Sequence, residues 1–120
     1  MNVDNDIEKS FVGSKDGIFS FYIDKNFCAF KGHFPTYPIL PGIVHIEIVL
    51  FCIRKMLAKP NINIKEIKKI KFIKPIPPAT QVCVEIARTQ NKINAVLKNE
   101  NDVFSQIQLW TDDENLEDNK

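Results

Sequence analysis

The stretch 41–58, PGIVHIEIVLFCIRKMLA, limits the possible folds more than any other part of the chain. Pro41 suits a first helical position, where its missing N–H is not needed. Lys59-Pro60 ends the run. A helix is therefore expected over about 41–58. From Ile43 to Ile53 this helix is apolar almost all round, interrupted only by His45 and Glu47. A surface helix would show a broad polar stripe. This one must be wrapped on most sides.

The rest of the chain supplies strands to wrap it. GIFSFYID (17–24) is rich in aromatic and β-branched residues, and FCAF (27–30) reads as a short extended piece. IKEIKKIKFIKPI (64–76) has β-branched residues at close spacing and ends in prolines. QVCVEIAR (81–88), KINAVLK (92–98) and DVFSQIQLW (102–110) alternate, placing Val82, Val84 and Ile86, then Ile93, Ala95 and Leu97, then Val103, Ile107 and Leu109, each on one face. The short polar turns TQN and NEN join these three as antiparallel hairpins. One buried helix and about five antiparallel strands imply an α+β fold, with a curved antiparallel sheet rolled round one central helix. The open edges or ends need cover, and a second subunit is the expected source of it. No repeat or linker divides the chain, so 1–120 reads as a single domain with an ordered core of about 7–111. Residues 1–6 and 112–120 are polar and charged, and are expected to be disordered.

A chain of 120 residues, 44% hydrophobic, has enough apolar material for one modest core. Its net charge of +1 gives no strong overall attraction to nucleic acid or membrane. The charge is uneven: Arg54 to Lys74 holds eight cations against Glu66 alone, and Asp112 to Lys120 holds five acids against one lysine. The longest unbroken apolar run, Ile48 to Ile53, is far short of the ~20 residues of a bilayer span. The polar, acidic start MNVDNDIEKS is not a signal peptide. Cys28, Cys52 and Cys83 are scattered, with no CxxC pair. That points to a reducing compartment, the cytoplasm, without disulfides or a zinc site.

Chemistry concentrates in GHFPTYPILPGIVHIE (32–47). Glu47 sits within the apolar helix, where its charged form is disfavoured, and a carboxylic acid kept protonated can serve as a general acid. His33 precedes Phe34-Pro35, and Pro35, Pro38 and Pro41 recur every third residue. Such a stiff path would hold an imidazole, a natural base at neutral pH, in one orientation. Gly42 opens the helix, where free N–H groups favour negative charge developing on a carbonyl oxygen. Each feature also has a plain structural explanation. Glu47 could lie on a wet stripe or in an ion pair, His33 could cap a turn, and Gly42 could merely permit a tight one. A PxxP ligand is disfavoured because Ile39 and Leu40 look destined for burial. His45, two residues from Glu47, does not share its face and is expected to pack or lie at the surface. The set His33, His45 and Glu47 has no recognised ligand spacing, so no metal is expected.

This stretch resembles the β-hydroxyacyl-acyl-carrier-protein dehydratase family, the FabA/FabZ type with the hotdog fold. Phe30, Gly32, His33, Phe34, Pro35, Pro38, Ile39, Pro41 and Gly42 match its motif, and Glu47 stands at the family's acid, fourteen residues after His33. FIKPIPPATQV (72–82) is similar to the family's downstream strand entry. The resemblance implies that His33 removes the C2 proton, Glu47 protonates the departing hydroxyl and the Gly42 amide polarises the thioester carbonyl. It also implies an acyl chain beside the helix, against Phe34, Pro41, Ile43, Phe51 and Phe72. The acyl group would ride on the phosphopantetheine of an acyl carrier protein, with no metal or organic cofactor in the enzyme. Lys68, Lys69, Lys71 and Lys74 are candidates for docking the acidic carrier. The histidine and the acid of one site would come from opposite subunits of a homodimer, with a higher oligomer of such dimers left open. Phe51 departs from the family pattern at its glutamine position, and Ala79-Thr80 stands where Gly-Asp is usual. The chain is short at the N-terminus, where longer members have an extra helix and strand. It looks nearest to the shorter dehydratase-like hotdog proteins, such as those of aryl polyene pathways. Two other readings are a hotdog thioesterase and a non-catalytic acyl- or carrier-binding subunit whose tunnel Phe51 fills. The His33/Glu47 pair favours the dehydratase.

Overall fold

The computed structural model describes residues 2–31 and 37–113. His33 and Phe34 therefore lie outside the described residues, as does the acidic tail from residue 114. In chain order the elements are α1 (Val3–Ser10), β1 (Phe11–Lys15), β2 (Ile18–Ile23), a 3₁₀ turn (Cys28–Phe30), α2 (Gly42–Leu57), β3 (Ile64–Phe72), β4 (Thr80–Thr89), β5 (Lys92–Lys98) and β6 (Val103–Thr111). The strands form one antiparallel sheet in the order β1-β2-β4-β5-β6-β3. Its inner face meets α2. Val44, Ile48, Val49, Cys52 and Ile53 from the helix share one core with Phe21, Ile23, Val82, Val84, Ile93, Leu97, Ile107 and Leu109 from the strands. The alternation read from β4 and β5 is the alternation observed. The architecture is the hotdog arrangement of a curved sheet on a central helix.

Three expectations are corrected. First, there are six strands, and the N-terminal segment is helical from Val3. Asn2 caps α1 by accepting from the Asn5 N–H at 3.0 Å. Asp4 and Asp6 fall in its first turn and Lys9 in its last, as the helix dipole favours. The fully buried Ile7, with the partly buried Val3, pins this otherwise polar helix to the core. Second, FCAF is a 3₁₀ turn. Spacing of three puts Phe27 and Phe30 on one side, buried edge to face with ring centroids 6.3 Å apart. Third, Pro41 is the N-cap of α2 and Gly42 its first helical residue, while Ala58 closes the helix in the left-handed conformation, φ 52°.

The helix is also less enclosed than its composition implies. Ile43 is 60% exposed, and Ile46, Glu47 and Phe51 are only half-buried. The sheet covers one flank of α2, and the flank bearing these residues is left to α1 or to solvent.

At the edge of the sheet, β3 resolves an oddity of its sequence. Ile64, Ile67 and Ile70 repeat every three residues, a spacing that a regular strand cannot keep on one face. Two irregularities in the pairing with β6, at 64–66 and 67–69, each absorb one residue. Ile64, Ile67, Ile70 and Phe72 then stand opposite Thr111, Leu109, Ile107 and Ser105, which alternate regularly on β6. β3 pairs with β6 on one side only, so its other edge is open.

Candidate active site

The residues singled out in the sequence fall on two sides of α2. Glu47 lines a cleft of about 400 Å³ between α1 and α2, with Ile7, Phe51, Arg54 and Lys55 among its walls. Phe51, one turn beyond Glu47, is packed into the wall of this cleft. Its ring lies 5.4 Å from that of Phe11 and 5.8 Å from that of Phe21, both close to edge-on. The Lys55 ammonium sits over Phe11 and Phe51, 5.3 and 5.4 Å from their centroids. Arg54 is held by the carbonyl of Ile62 at 2.9 Å and the Asn63 side chain at 2.6 Å. Glu47 is thus at the wall of an open cleft that it shares with the carboxylates Asp4 and Glu8, the cations Arg54 and Lys55 and the Phe51 ring, rather than in a fully apolar interior.

Gly42 lies five residues before Glu47, about 140° round the helix, and faces β3. A Cβ at Gly42 would come within 2.8 Å of the tip of the Phe72 ring. The glycine is needed for this close approach, not for a tight turn. Phe72 is 53% exposed. Just before the helix, the Leu40 N–H donates to the Ile76 carbonyl at 2.9 Å, tying the start of α2 to the segment that leaves β3. Pro41 and Ile43 flank Gly42, and neither they nor Phe72 line the Glu47 cleft among its described walls.

His45 is a buried packing residue. Its Nδ1 lies 2.8 Å from the Ser105 hydroxyl, and its ring meets that of Phe72 edge to face at 5.1 Å. Burial pushes its pKa down to about 4, so the imidazole is neutral at physiological pH. Ser105 has no counterpart in the sequence reading. The signal for it was a hydroxyl at an inward position of an alternating strand, where an apolar residue is the norm.

The candidate docking lysines are scattered in role. Lys74 pairs with Asp102 at 2.6 Å, and Lys68 pairs weakly with Glu66 at 3.6 Å and lies over Trp110. Lys69 and Lys71 line a groove on the sheet with Asn94, Gln106 and Gln108. The three cysteines are free thiols. Among the described residues, no helix is long and apolar enough to cross a membrane.

Ala79, at the family's glycine position, has φ 58°. This is the left-handed region where glycine is unstrained, which explains the usual residue there. Thr80, in place of the aspartate, donates its hydroxyl to the Pro77 carbonyl at 2.7 Å.

Comparison with known proteins places this geometry in a family. The model of ApeI-like proteins, described as ApeI dehydratase, matches residues 9–108. The 3-hydroxyacyl-[acyl-carrier-protein] dehydratase FabZ of Aromatoleum aromaticum is 31% identical over 74 residues, covering 54% of this chain and 51% of the relative. The FabZ of Koribacter versatilis is 39% identical over 64 residues, covering 48% and 41%. The chain thus spans about half the length of the curated relatives it matches. Among solved structures, the dehydratase heterocomplex ApeI:P from Xenorhabdus doucetiae matches with a TM-score of 0.71 at 25% identity, over 78% of this chain and 84% of that one. BH1999 gentisyl-coenzyme A thioesterase, with a TM-score of 0.51 at 11% identity over 78% and 88%, shares the fold alone. With its family model spanning most of the sequence and its helix, sheet and motif in matching order, the chain belongs to the ApeI-like dehydratase family.

Proposed function

We propose that the protein dehydrates β-hydroxyacyl groups carried on an acyl carrier protein to trans-2-enoyl thioesters. The observation that supports this best is Glu47, placed fourteen residues after His33 by the motif and found on the wall of an open cleft rather than sealed in the core. His33 takes the C2 proton. Glu47 gives its proton to the C3 hydroxyl, which leaves as water while the C2–C3 double bond forms. The amide of Gly42 steadies the charge that develops on the thioester oxygen. These groups balance the reaction without metal or organic cofactor. The cations of β3 attract an acidic carrier, and the reaction takes place in the cytoplasm.

The working form is a homodimer. The open edge of β3, with Ile67 40% exposed, Phe72 53% and Ile73 44%, and the exposed Ile43 at the start of α2, favour a second copy at this side. The family resemblance, rather than the position of this edge, pairs His33 of one copy with Glu47 of the other.

The test is hydration of an enoyl thioester, the same step in reverse, followed by loss of its conjugated absorbance. Parent activity that drops about a hundredfold or more in both His33→Ala and Glu47→Gln supports the acid–base pair. Hydration indifferent to both changes removes the assigned roles. Release of free thiol without hydration identifies a thioesterase instead. Mixing and re-equilibrating the two inactive variants tests the shared site: mixed dimers with one intact site restore about a quarter of the parent activity.

A further inference from the structure

Ser105 on β6 and Phe72 on β3 are paired directly across the strands, and both point toward α2. His45 lies under both. It shares a helix face with Gly42, three residues earlier. One imidazole therefore bonds to the Ser105 hydroxyl at 2.8 Å and braces the Phe72 ring at 5.1 Å and 89°, while the tip of that ring fills the space where Gly42 lacks a side chain. His45 is 2% exposed and Ser105 is 0% exposed. A buried polar pair is directional where an apolar pair of equal volume is not, so it fixes the helix against the strand at one spacing.

We infer that His45 and Ser105 form a positioning pair for the candidate site: by bracing Phe72 across Gly42, they set where the first amide groups of α2 point. Neither residue touches substrate. Their effect passes through the Phe72 ring, which is 53% exposed and meets Gly42 and His45 on its buried side. The Leu40–Ile76 backbone bond holds the chain one step upstream, so the angle at which α2 begins is set from both sides. The inference rests on the dehydratase reading for the purpose of those amides. The low pKa of His45 is consistent with it, because the brace keeps one protonation state across the working range.

The experiment compares the full-length parent with Ser105→Ala, Ser105→Thr and His45→Asn. It reads kcat and KM for enoyl-thioester hydration and the ¹H–¹⁵N signal of the Gly42 amide. Ser105→Ala is expected to shift the Gly42 signal and to lower kcat about tenfold with KM within about twofold, since small misplacements act on the chemical step. Ser105→Thr, which restores the hydroxyl, is expected to recover most of the loss. The double variant Ser105→Ala/Phe72→Ala should be little slower than the slower single variant, because both act along one path. If Ser105→Ala does not fold, His45→Asn replaces it: the amide keeps a polar partner for Ser105 but withdraws from Phe72. Folded variants with kcat within about twofold of the parent overturn the inference, whether or not the Gly42 signal moves, and leave the dehydratase reading intact. Multiplying effects in the double variant overturn it as well. A parent with no hydration overturns the dehydratase reading, and a Gly42 signal that still moves in Ser105→Ala then supports the mechanical link alone.

Discussion

The Asp6 carboxylate accepts a hydrogen bond from the Cys28 N–H at 2.7 Å, so that α1 is tied to the 3₁₀ turn that leads into the Gly32-His33 motif. This bond is the main cause of the lowered pKa of Asp6. Burial, with help from the same carboxylate, pushes the Cys28 thiol up.

Asp6→Ala is therefore expected to destabilise the protein by about 1.5 kcal/mol, the lower end of the range for a bond to a charged group, and to loosen α1 before anything else. Hydrogen exchange checks it: amides of residues 5–10 should exchange faster while those of β4 and β5 do not. Asp6→Asn, which retains an acceptor, should recover much of the protection. Equal acceleration throughout the sheet would refute a local tie.

Gly42→Ala sets two effects against each other. Alanine favours a helix by up to about 1 kcal/mol, but its Cβ would meet the Phe72 ring at 2.8 Å. Displacing the ring should leave the single variant about 1 kcal/mol less stable. In a Phe72→Ala background the same substitution should become neutral or stabilising. Urea titration of the four proteins reads the sign reversal directly, and destabilisation of the same size in both backgrounds would show that the ring is not the obstacle.

Ala58 and Ala79 both occupy the left-handed region, at φ 52° and 58°. Replacing either by glycine removes a strain of roughly 1 kcal/mol and returns part of that gain to the unfolded chain. Each variant should be more stable by about 0.5 kcal/mol, and the two should add because the sites belong to different elements. Thermal melts of the single and double variants decide this, and a lower midpoint for Ala79→Gly would contradict the backbone argument.

Stability should fall on acidification before the carboxylates titrate. His45 in the fold has a pKa of about 4, against 6.5 for an ordinary histidine. The unfolded chain thus binds the proton first, and stability present above pH 6.5 is lost as the pH falls toward 4. From the size of that shift, the protein should be about 2 kcal/mol less stable at pH 5 than at pH 8. Below that, Asp6, with its depressed pKa, adds a loss of the same sign. The measure is the difference in this slope between the parent and His45→Gln. Identical slopes would assign the effect elsewhere.

Much of this was legible in the residues, for identifiable reasons. Strands buried on one face, such as β4 and β5, show alternation that nothing else produces. The apolar helix marked itself by its composition. The N-terminal elements were missed because a helix with Ile7 as its only buried apolar side chain has almost no periodic signal. Its cap, Asn2, and its charge order were there to be read. Asp16-Gly17, both at positive φ, is the hairpin signal that marks β1. The motif named Glu47, Gly42, Phe51 and Phe72. It did not reveal that Glu47 and Phe51 face α1 while Gly42 and Phe72 face β3, because that division depends on a wall the sequence reading lacked. His45 was expected either to pack or to lie at the surface; it packs, and its partner lies sixty residues away, beyond any local pattern.

The two bulges of β3 bear on more than its isoleucines. A regular exposed edge accepts almost any extended peptide, in any of several registers. An edge interrupted twice within nine residues has few stretches long enough to zip with a stray chain, and its lysines discourage those. A strand that pairs along its whole length there would need irregularities of its own, and in the proposed homodimer a second β3 would bring them. In the proposed homodimer such an edge would work as a keyed lock, poorly matched to a stray extended chain and matched to its own copy.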